Sequence, residues 1–258
     1  MGVELRQFIC LTDNFGVLLR DEETGATASI DAPDGERIAQ ELARTGWSLT
    51  HILLTHHHAD HVQGVGALKA RYPGIRVIGP RKDAHRIADL DVLVGEGDRV
   101  EVGAARALVL ETPGHTNGHI AYHFSEDELV FVGDTLFSLG CGRVFEGTME
   151  TLHETLERLA ELPPETKVYC GHEYTQANAV FALTVDPQNP LLIERAREVD
   201  ALRGRGLFTL PTTIALECAT NPFLRTQDPD VRRAMGMEDA DADAVFTRMR
   251  ERKNVFRA

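Results

Sequence analysis

Four of the chain's eleven histidines fall within six residues, in Thr55-His56-His57-His58-Ala59-Asp60-His61. The stretch just before them, His51-Ile52-Leu53-Leu54, is short and apolar, as in a buried strand. Side chains alternate along a strand, so His56 and His58 point the same way and can grip one cation, while His57 points away. Asp60 and His61 fall at the turn into a following helix and can face a second ion. A hydrolytic zinc commonly takes three protein ligands and keeps a position for water. Candidate completions stand at three later strand ends, in Thr112-Pro113-Gly114-His115, Val132-Gly133-Asp134 and Tyr169-Cys170-Gly171-His172. Loops after strands are where a rigid scaffold presents functional groups. Asp134 has two carboxylate oxygens and can bridge two ions. The set His56, His58, Asp60, His61, His115, Asp134 and His172 points to a two-metal hydrolase site. His51, His57, His85, His119, His123 and His153 read as structural or surface residues, with His119 placed to orient a ligand through a hydrogen bond.

Short strands and occasional helices must carry these residues. Val3 to Ile9, Val17 to Leu19 and Thr27 to Ile30 read as strands, broken by Asp, Asn and Gly turns. Ile38, Ala39 and Leu42 give helical spacing to 35–44. A helix is expected over 64–71 and a strand over 75–78. Strands follow over 100–102, 107–111, 119–124 and 128–133, then an amphipathic helix over 149–159 and a strand over 167–170. After Gly171 the texture turns helical, over 173–185, 191–203 and 239–250. Asp186-Pro187 and Asn189-Pro190 separate the first two, since a residue before Pro is driven out of the α region. The change of texture after Gly171 places a domain boundary near residues 165–175.

The bulk numbers bound the partners. The 258 residues suffice for one large domain, or for a domain with a smaller companion. The net charge of −13 opposes general binding to nucleic acid or anionic lipid. No apolar run approaches the roughly 20 residues a spanning helix needs, and Met1 to Arg6 lacks a basic stretch leading into an apolar core, so a secretory signal is not expected. The four cysteines form no CxxC pair, so disulfides are not expected and a reducing cytoplasm is the default.

With HxHxDH at 56–61, Thr112-Pro113-Gly114-His115-Thr116, Gly133-Asp134 and Gly171-His172, the chain resembles the metallo-β-lactamase superfamily. The resemblance implies an α/β fold, an αββα sandwich with metals at one edge of its two sheets. It implies one metal held by His56, His58, His115 and Asp134, and a second held by Asp60, His61, His172 and Asp134. Zinc is the default pair, with iron or manganese compatible with the mixed ligands.

A second set of motifs narrows the resemblance. Gly140-Cys141-Gly142-Arg143-Val144-Phe145-Glu146-Gly147-Thr148 is similar to the glutathione-facing loop of the hydroxyacylglutathione hydrolases, the glyoxalase II family. Gly171-His172-Glu173-Tyr174-Thr175, Asn221-Pro222-Phe223-Leu224-Arg225 and the closing RxxKxxF run from Arg250 to Phe256 match it too. The resemblance then covers the whole chain, with a metal-binding catalytic domain over 1–172 and a helical glutathione-binding domain over 173–258. It implies that a hydroxide shared by two cations attacks the thioester of S-D-lactoylglutathione. Glutathione and D-lactate leave, in the second step of methylglyoxal detoxification. Asp60 and Asp134 would serve catalysis, and Arg143, Val144, Phe145, His172, Tyr174, Arg250 and Lys253 would bind substrate. Arg250 and Lys253 are i, i+3 and share a face of a helix, and Arg can pair a carboxylate bidentately. Some family members carry Lys and Tyr where this chain has Arg143 and Phe145, so one hydroxyl contact is missing. The expected assembly is a monomer acting on a small molecule.

A rival reading is a mononuclear iron persulfide dioxygenase of the same superfamily, which shares HxHxDH and the Cys-Gly-Arg loop. That branch lacks an extended helical tail with RxxK.

Overall fold

The computed structural model describes residues 2–257 and divides into two compact units. The first runs to Thr112 and resumes over Asn117–Gly133; the second takes Pro113–Thr116 and the chain from Asp134 onward.

The first unit holds two sheets. Strands β1 (Val3–Cys10), β2 (Asn14–Asp21) and β3 (Thr27–Ile30) run antiparallel. Helix α1 (Gly35–Thr45) crosses over to β4 (Leu49–Leu53), parallel to β3. Asp34 caps α1, accepting from Glu36 N at 3.1 Å and Arg37 N at 3.0 Å, and Gly46 closes it at φ 73°. After β4 come α2 (Ala59–Val62) and α3 (Val65–Arg71), then β5 (Arg76–Pro80) and β6 (Val92–Val94), both continuing the parallel half. The second sheet is antiparallel, with β7 (Arg99–Val102), β8 (Ala105–Glu111), β9 (Ile120–Phe124) and β10 (Leu129–Phe131) as successive neighbours.

Alternation assigns the faces. Leu18 joins Phe8, Ile38, Leu42, Ile52, Leu68 and Val77 in a core beneath α1 and α3. Such side chains contribute roughly 1.5–3 kcal/mol each on full burial. Tyr122 on β9 spans from one sheet to the other, its hydroxyl donating to Leu54 O at 2.9 Å. That bond ties the second sheet to the C-terminal end of β4, where the histidine run begins.

The second unit is mostly helical. Two short hairpin strands, β11 (Leu136–Phe137) and β12 (Gly140–Cys141), precede α4 (Met149–Ala160) and β13 (Lys167–Tyr169). Helices α5 (Thr175–Val185) and α6 (Pro190–Gly204) pack together around Leu139, Ala179, Ala182, Leu192 and Ala196. Asn189 caps α6 and Pro190 occupies its first turn. Strand β14 (Thr212–Thr213), paired with β13, leads into α7 (Ile214–Thr220), and α8 (Pro229–Met235) and α9 (Ala242–Val255) close the chain. An aromatic column runs from Phe181 through Phe223 to Phe246, with centroids 6.1 and 5.7 Å apart.

The elements differ from the sequence expectation in places. The histidine loop holds a short helix, α2, so Asp60 and His61 are helical rather than in a turn. The last helix starts at Ala242, where Asp241 caps it, and runs on to Val255. Strands β6, β11, β12 and β14 and helices α7 and α8 have no counterpart among the expected elements; each is too short to show a period.

Candidate functional site

In the first unit β4 delivers a buried Thr55-His56 pair, and α2 adds Asp60 and His61. Asp31, just after β3, anchors Thr55 and His61 directly and His56 through Thr55. Its carboxylate accepts from Thr55 N at 2.7 Å and Thr55 Oγ1 at 2.9 Å, and lies 2.7 Å from His61 Nδ1. The Thr55 hydroxyl, having given its proton to Asp31, accepts from His56 Nδ1 at 3.0 Å. Both rings therefore carry their proton on Nδ1 and offer the Nε2 lone pair to a cation. His56 Nε2 faces His58 Nδ1 at 3.0 Å, and His61 Nε2 lies 3.8 Å from Asp60 Oδ2. Asn14 steadies Asp60, donating to its carbonyl and to Oδ2, both at 3.1 Å.

His57 turns away from the other rings, with Nδ1 2.8 Å from Asp83 Oδ2, but 54–58 lie beyond the end of β4, so the loop and this contact set its direction rather than strand alternation. His119 stacks on His56 with centroids 4.8 Å apart, and its Nδ1 lies 2.7 Å from Thr112 Oγ1. Gly133 adjoins these rings at φ 47°, and a Cβ there would fall 2.6 Å from both His119 Nε2 and Thr55 Oγ1.

The second unit presents the other donors. His115 Nδ1 donates to Arg143 O at 2.8 Å, which again leaves Nε2 to a cation. That Nε2 lies 3.6 Å from Asp134 Oδ2, and His172 Nε2 lies 3.3 Å from the same oxygen. One carboxylate oxygen thus sits beside two imidazoles.

These spacings test whether the donors suit a metal. A tetrahedral cation with bonds of about 2.0–2.1 Å holds its ligand atoms about 3.3–3.4 Å apart. The pairs at 3.0, 3.8, 3.6 and 3.3 Å all lie within about half an ångström of that edge. Each unit supplies two such edges, built from nitrogen and oxygen donors that divalent ions accept.

A cavity of about 490 Å³ opens in the second unit beside His115 and Asp134. Arg143, Arg250 and Lys253 give it positive charge; Phe137, Phe145, Tyr174 and Phe256 give it aromatic walls. Tyr174 stacks flat on His172 at 4.7 Å, and Phe145 stands edge-on to His115 at 5.2 Å. Val144 is half-buried and does not line the cavity. Arg250 is buried, and its Nη1 donates to Cys141 O at 2.8 Å. Lys253 lies over Phe181 at 5.2 Å, and burial, with Arg250 nearby, pulls its ammonium down to about 8. Burial pushes the Cys141 thiol up, against the pull of Arg250, so it is not a poised nucleophile.

Sequence reasoning missed Asp31, Thr55 and Asn14, which orient the ligand side chains. The only local signal was Thr55 standing next to His56.

Two family models match the chain in succession. Residues 24–172 match the model of the metallo-β-lactamase superfamily, and the chain belongs to that superfamily. Residues 173–256 match the model of the hydroxyacylglutathione hydrolase C-terminus. A hydroxyacylglutathione hydrolase of Rhizobium meliloti (strain 1021) is 54% identical over 255 residues, 99% of each chain. Within the superfamily this chain therefore stands among the hydroxyacylglutathione hydrolases, and its chemistry is thioester hydrolysis. Among solved structures, ETHE1 from Myxococcus xanthus aligns at a TM-score of 0.70 and 30% identity, covering 98% of this chain and 92% of that one. It is more distant than the hydrolases and does not favour the dioxygenase alternative. TTHA1623, solved in a di-iron-bound form, aligns at 0.60 and 27% identity, over 86% of this chain and all of its own.

Proposed function

We propose that the seven side chains bind two divalent cations, one through His56, His58, His115 and Asp134, the other through Asp60, His61, His172 and Asp134. The observation that carries this reading is the set of four donor pairs at metal-edge spacing, two in each unit. The two irons of TTHA1623 lend it support. Zinc is the proposed metal, by its match to mixed nitrogen and oxygen donors.

When bound, such a pair supplies a nucleophilic water at neutral pH and polarises a carbonyl. The protein's own contributions are positional. Asp31 and the Arg143 carbonyl hold the imidazole tautomers; Asn14 holds Asp60. A thioester needs little proton donation to its leaving group, since a thiol of ordinary pKa, about 8.5, departs readily as thiolate. Fixed cationic charge in the cavity offsets the net −13 of the chain and recruits an anionic ligand. We assign the glutathione part of the substrate to this cavity, with Arg143, Tyr174 and Lys253 facing it. Phe145 offers it an aromatic edge, Arg250 lines its buried wall, and His172 serves both metal and substrate. The acyl part is a 2-hydroxyacyl group such as D-lactoyl, leaving as the 2-hydroxy acid. The division into a catalytic region over 1–172 and a glutathione-binding region over 173–258 belongs to the same proposal. So do action as a monomer and residence in a reducing cytoplasm, which suits four cysteines in thiol form.

The test is hydrolysis of S-D-lactoylglutathione followed by thiol release. Turnover that chelator abolishes and added zinc restores is expected. No thiol release at micromolar protein would refute the assignment.

A further inference from the structure

Glu217 on α7 is fully buried and takes no part in the chemistry above. Its carboxylate accepts four hydrogen bonds. Ser138 Oγ at 2.9 Å and Thr212 Oγ1 at 2.6 Å donate to Oε1. Leu139 N at 2.8 Å and Asn221 Nδ2 at 3.0 Å donate to Oε2. Two of these donors, Ser138 and Leu139, form the turn between β11 and β12. Leu139 stands at φ 58°, a left-handed conformation that a leucine rarely adopts. Such a residue persists only where its surroundings over-determine it.

The rest of that turn is held from outside as well. Asn221 Nδ2 reaches Phe137 O at 3.1 Å and Gly140 O at 2.9 Å, and Asn178 Nδ2 donates to Ser138 O at 3.1 Å. With Arg250 on Cys141 O, every residue from 137 to 141 has a main-chain group held by a side chain from a helix or its end. The hairpin starts two residues after Asp134 and ends two residues before Arg143. Phe137 and Cys141 line the cavity themselves.

We propose that Glu217 is a positioning residue for the substrate cavity, its buried carboxylate fixing the 136–141 hairpin and so the placement of Phe137, Cys141 and Arg143 against the ligand. This rests on the reading that the cavity takes the glutathione part of the substrate. Burial raises the carboxyl's pKa while its hydrogen bonds oppose the rise. A glutamine fits the same network: its oxygen can take Leu139 N–H, and its amide can donate to the Ser138 and Thr212 hydroxyls, which accept as readily as they donate.

The experiment uses metal-loaded full-length protein and three variants, Glu217→Ala, Glu217→Gln and Ser138→Ala. Binding of S-methylglutathione, a thioether that cannot be hydrolysed, is measured by calorimetry; KM and kcat are measured with S-D-lactoylglutathione, and bound metal by elemental analysis. Glu217→Ala is expected to weaken binding and raise KM about tenfold, with kcat and metal content little changed. Glu217→Gln should lie within about threefold of the parent, and Ser138→Ala should raise KM about threefold, which keeps the test open if the alanine at 217 does not fold. Parent-like binding and KM in folded Glu217→Ala, or in Ser138→Ala, would overturn the inference alone. Failure of the parent protein to bind S-methylglutathione would overturn the cavity reading and this inference with it.

Discussion

Asp31 shows how one side chain can govern several ligands. It holds the His61 ring directly and the His56 ring through Thr55, from a left-handed backbone at φ 53° that aspartate tolerates. Asp31→Asn keeps the shape but weakens the pull on both imidazoles. Metal affinity, read by competition with a chromophoric chelator, is expected to fall roughly 10–100-fold; unchanged affinity would contradict the role. Lys253 makes a different claim. Its ammonium titrates near 8 in the folded protein, below the ordinary lysine value, so the charge that recruits an anionic substrate is present below that pH and lost above it. The expected kcat/KM therefore falls as pH rises through 8. Lys253→Arg keeps its charge throughout and should remove that limb. A limb that survives in the arginine variant belongs to another group.

Helix α9 carries Arg250 and Lys253, and His153 on α4 fastens its first turns. His153 Nδ1 lies 2.6 Å from Asp243 Oδ1, Nε2 lies 3.1 Å from Thr226 Oγ1, and the ring stacks on Phe246 at 4.8 Å. His153→Ala removes packing and leaves buried polar partners, so a loss of about 2–4 kcal/mol is expected in denaturant unfolding. A loss under about 1 kcal/mol would show that α9 docks without it. Elements of this length were readable from sequence where apolar periodicity ran long enough. Thr27–Ile30 was bounded correctly, and the spacing of Ile38, Ala39 and Leu42 marked α1. Helices α7 and α8, seven residues each, carry N-caps at Thr213 and Asp228 but too few turns to show a stripe. The β11–β12 hairpin is shorter still, and tertiary hydrogen bonds rather than pattern define it. The 56–61 candidates stood out because histidine is scarce and clustered there, and His115, Asp134 and His172 because each follows an expected strand. Asp31 and Glu217 were not, since one supporting carboxylate looks like any of the 40 acidic residues, and Asn14 is a lone amide in no motif.

Over the whole chain, the proposed metal binding couples to folding, because the donors come from distant parts of the sequence. Ligands that bind only the folded state stabilise it by mass action, about 2.7 kcal/mol at a hundredfold excess over Kd. Chelation is therefore expected to lower the melting temperature by at least ~5 °C, with recovery on adding zinc. A melting temperature indifferent to chelator would mean that the donors bind no ion. Among the described residues no helix is long and apolar enough to cross a membrane, and in a chain of net charge −13 the cavity of the second unit brings together Arg143, Arg250 and Lys253.

The most direct measurement is titration of metal-free protein with zinc while hydrolysis of S-D-lactoylglutathione is followed. Activity should climb to a break at two equivalents per chain, and Asp134→Ala should bind weakly and stay inactive. Full activity without metal, or a break at one equivalent, would contradict the two-cation centre.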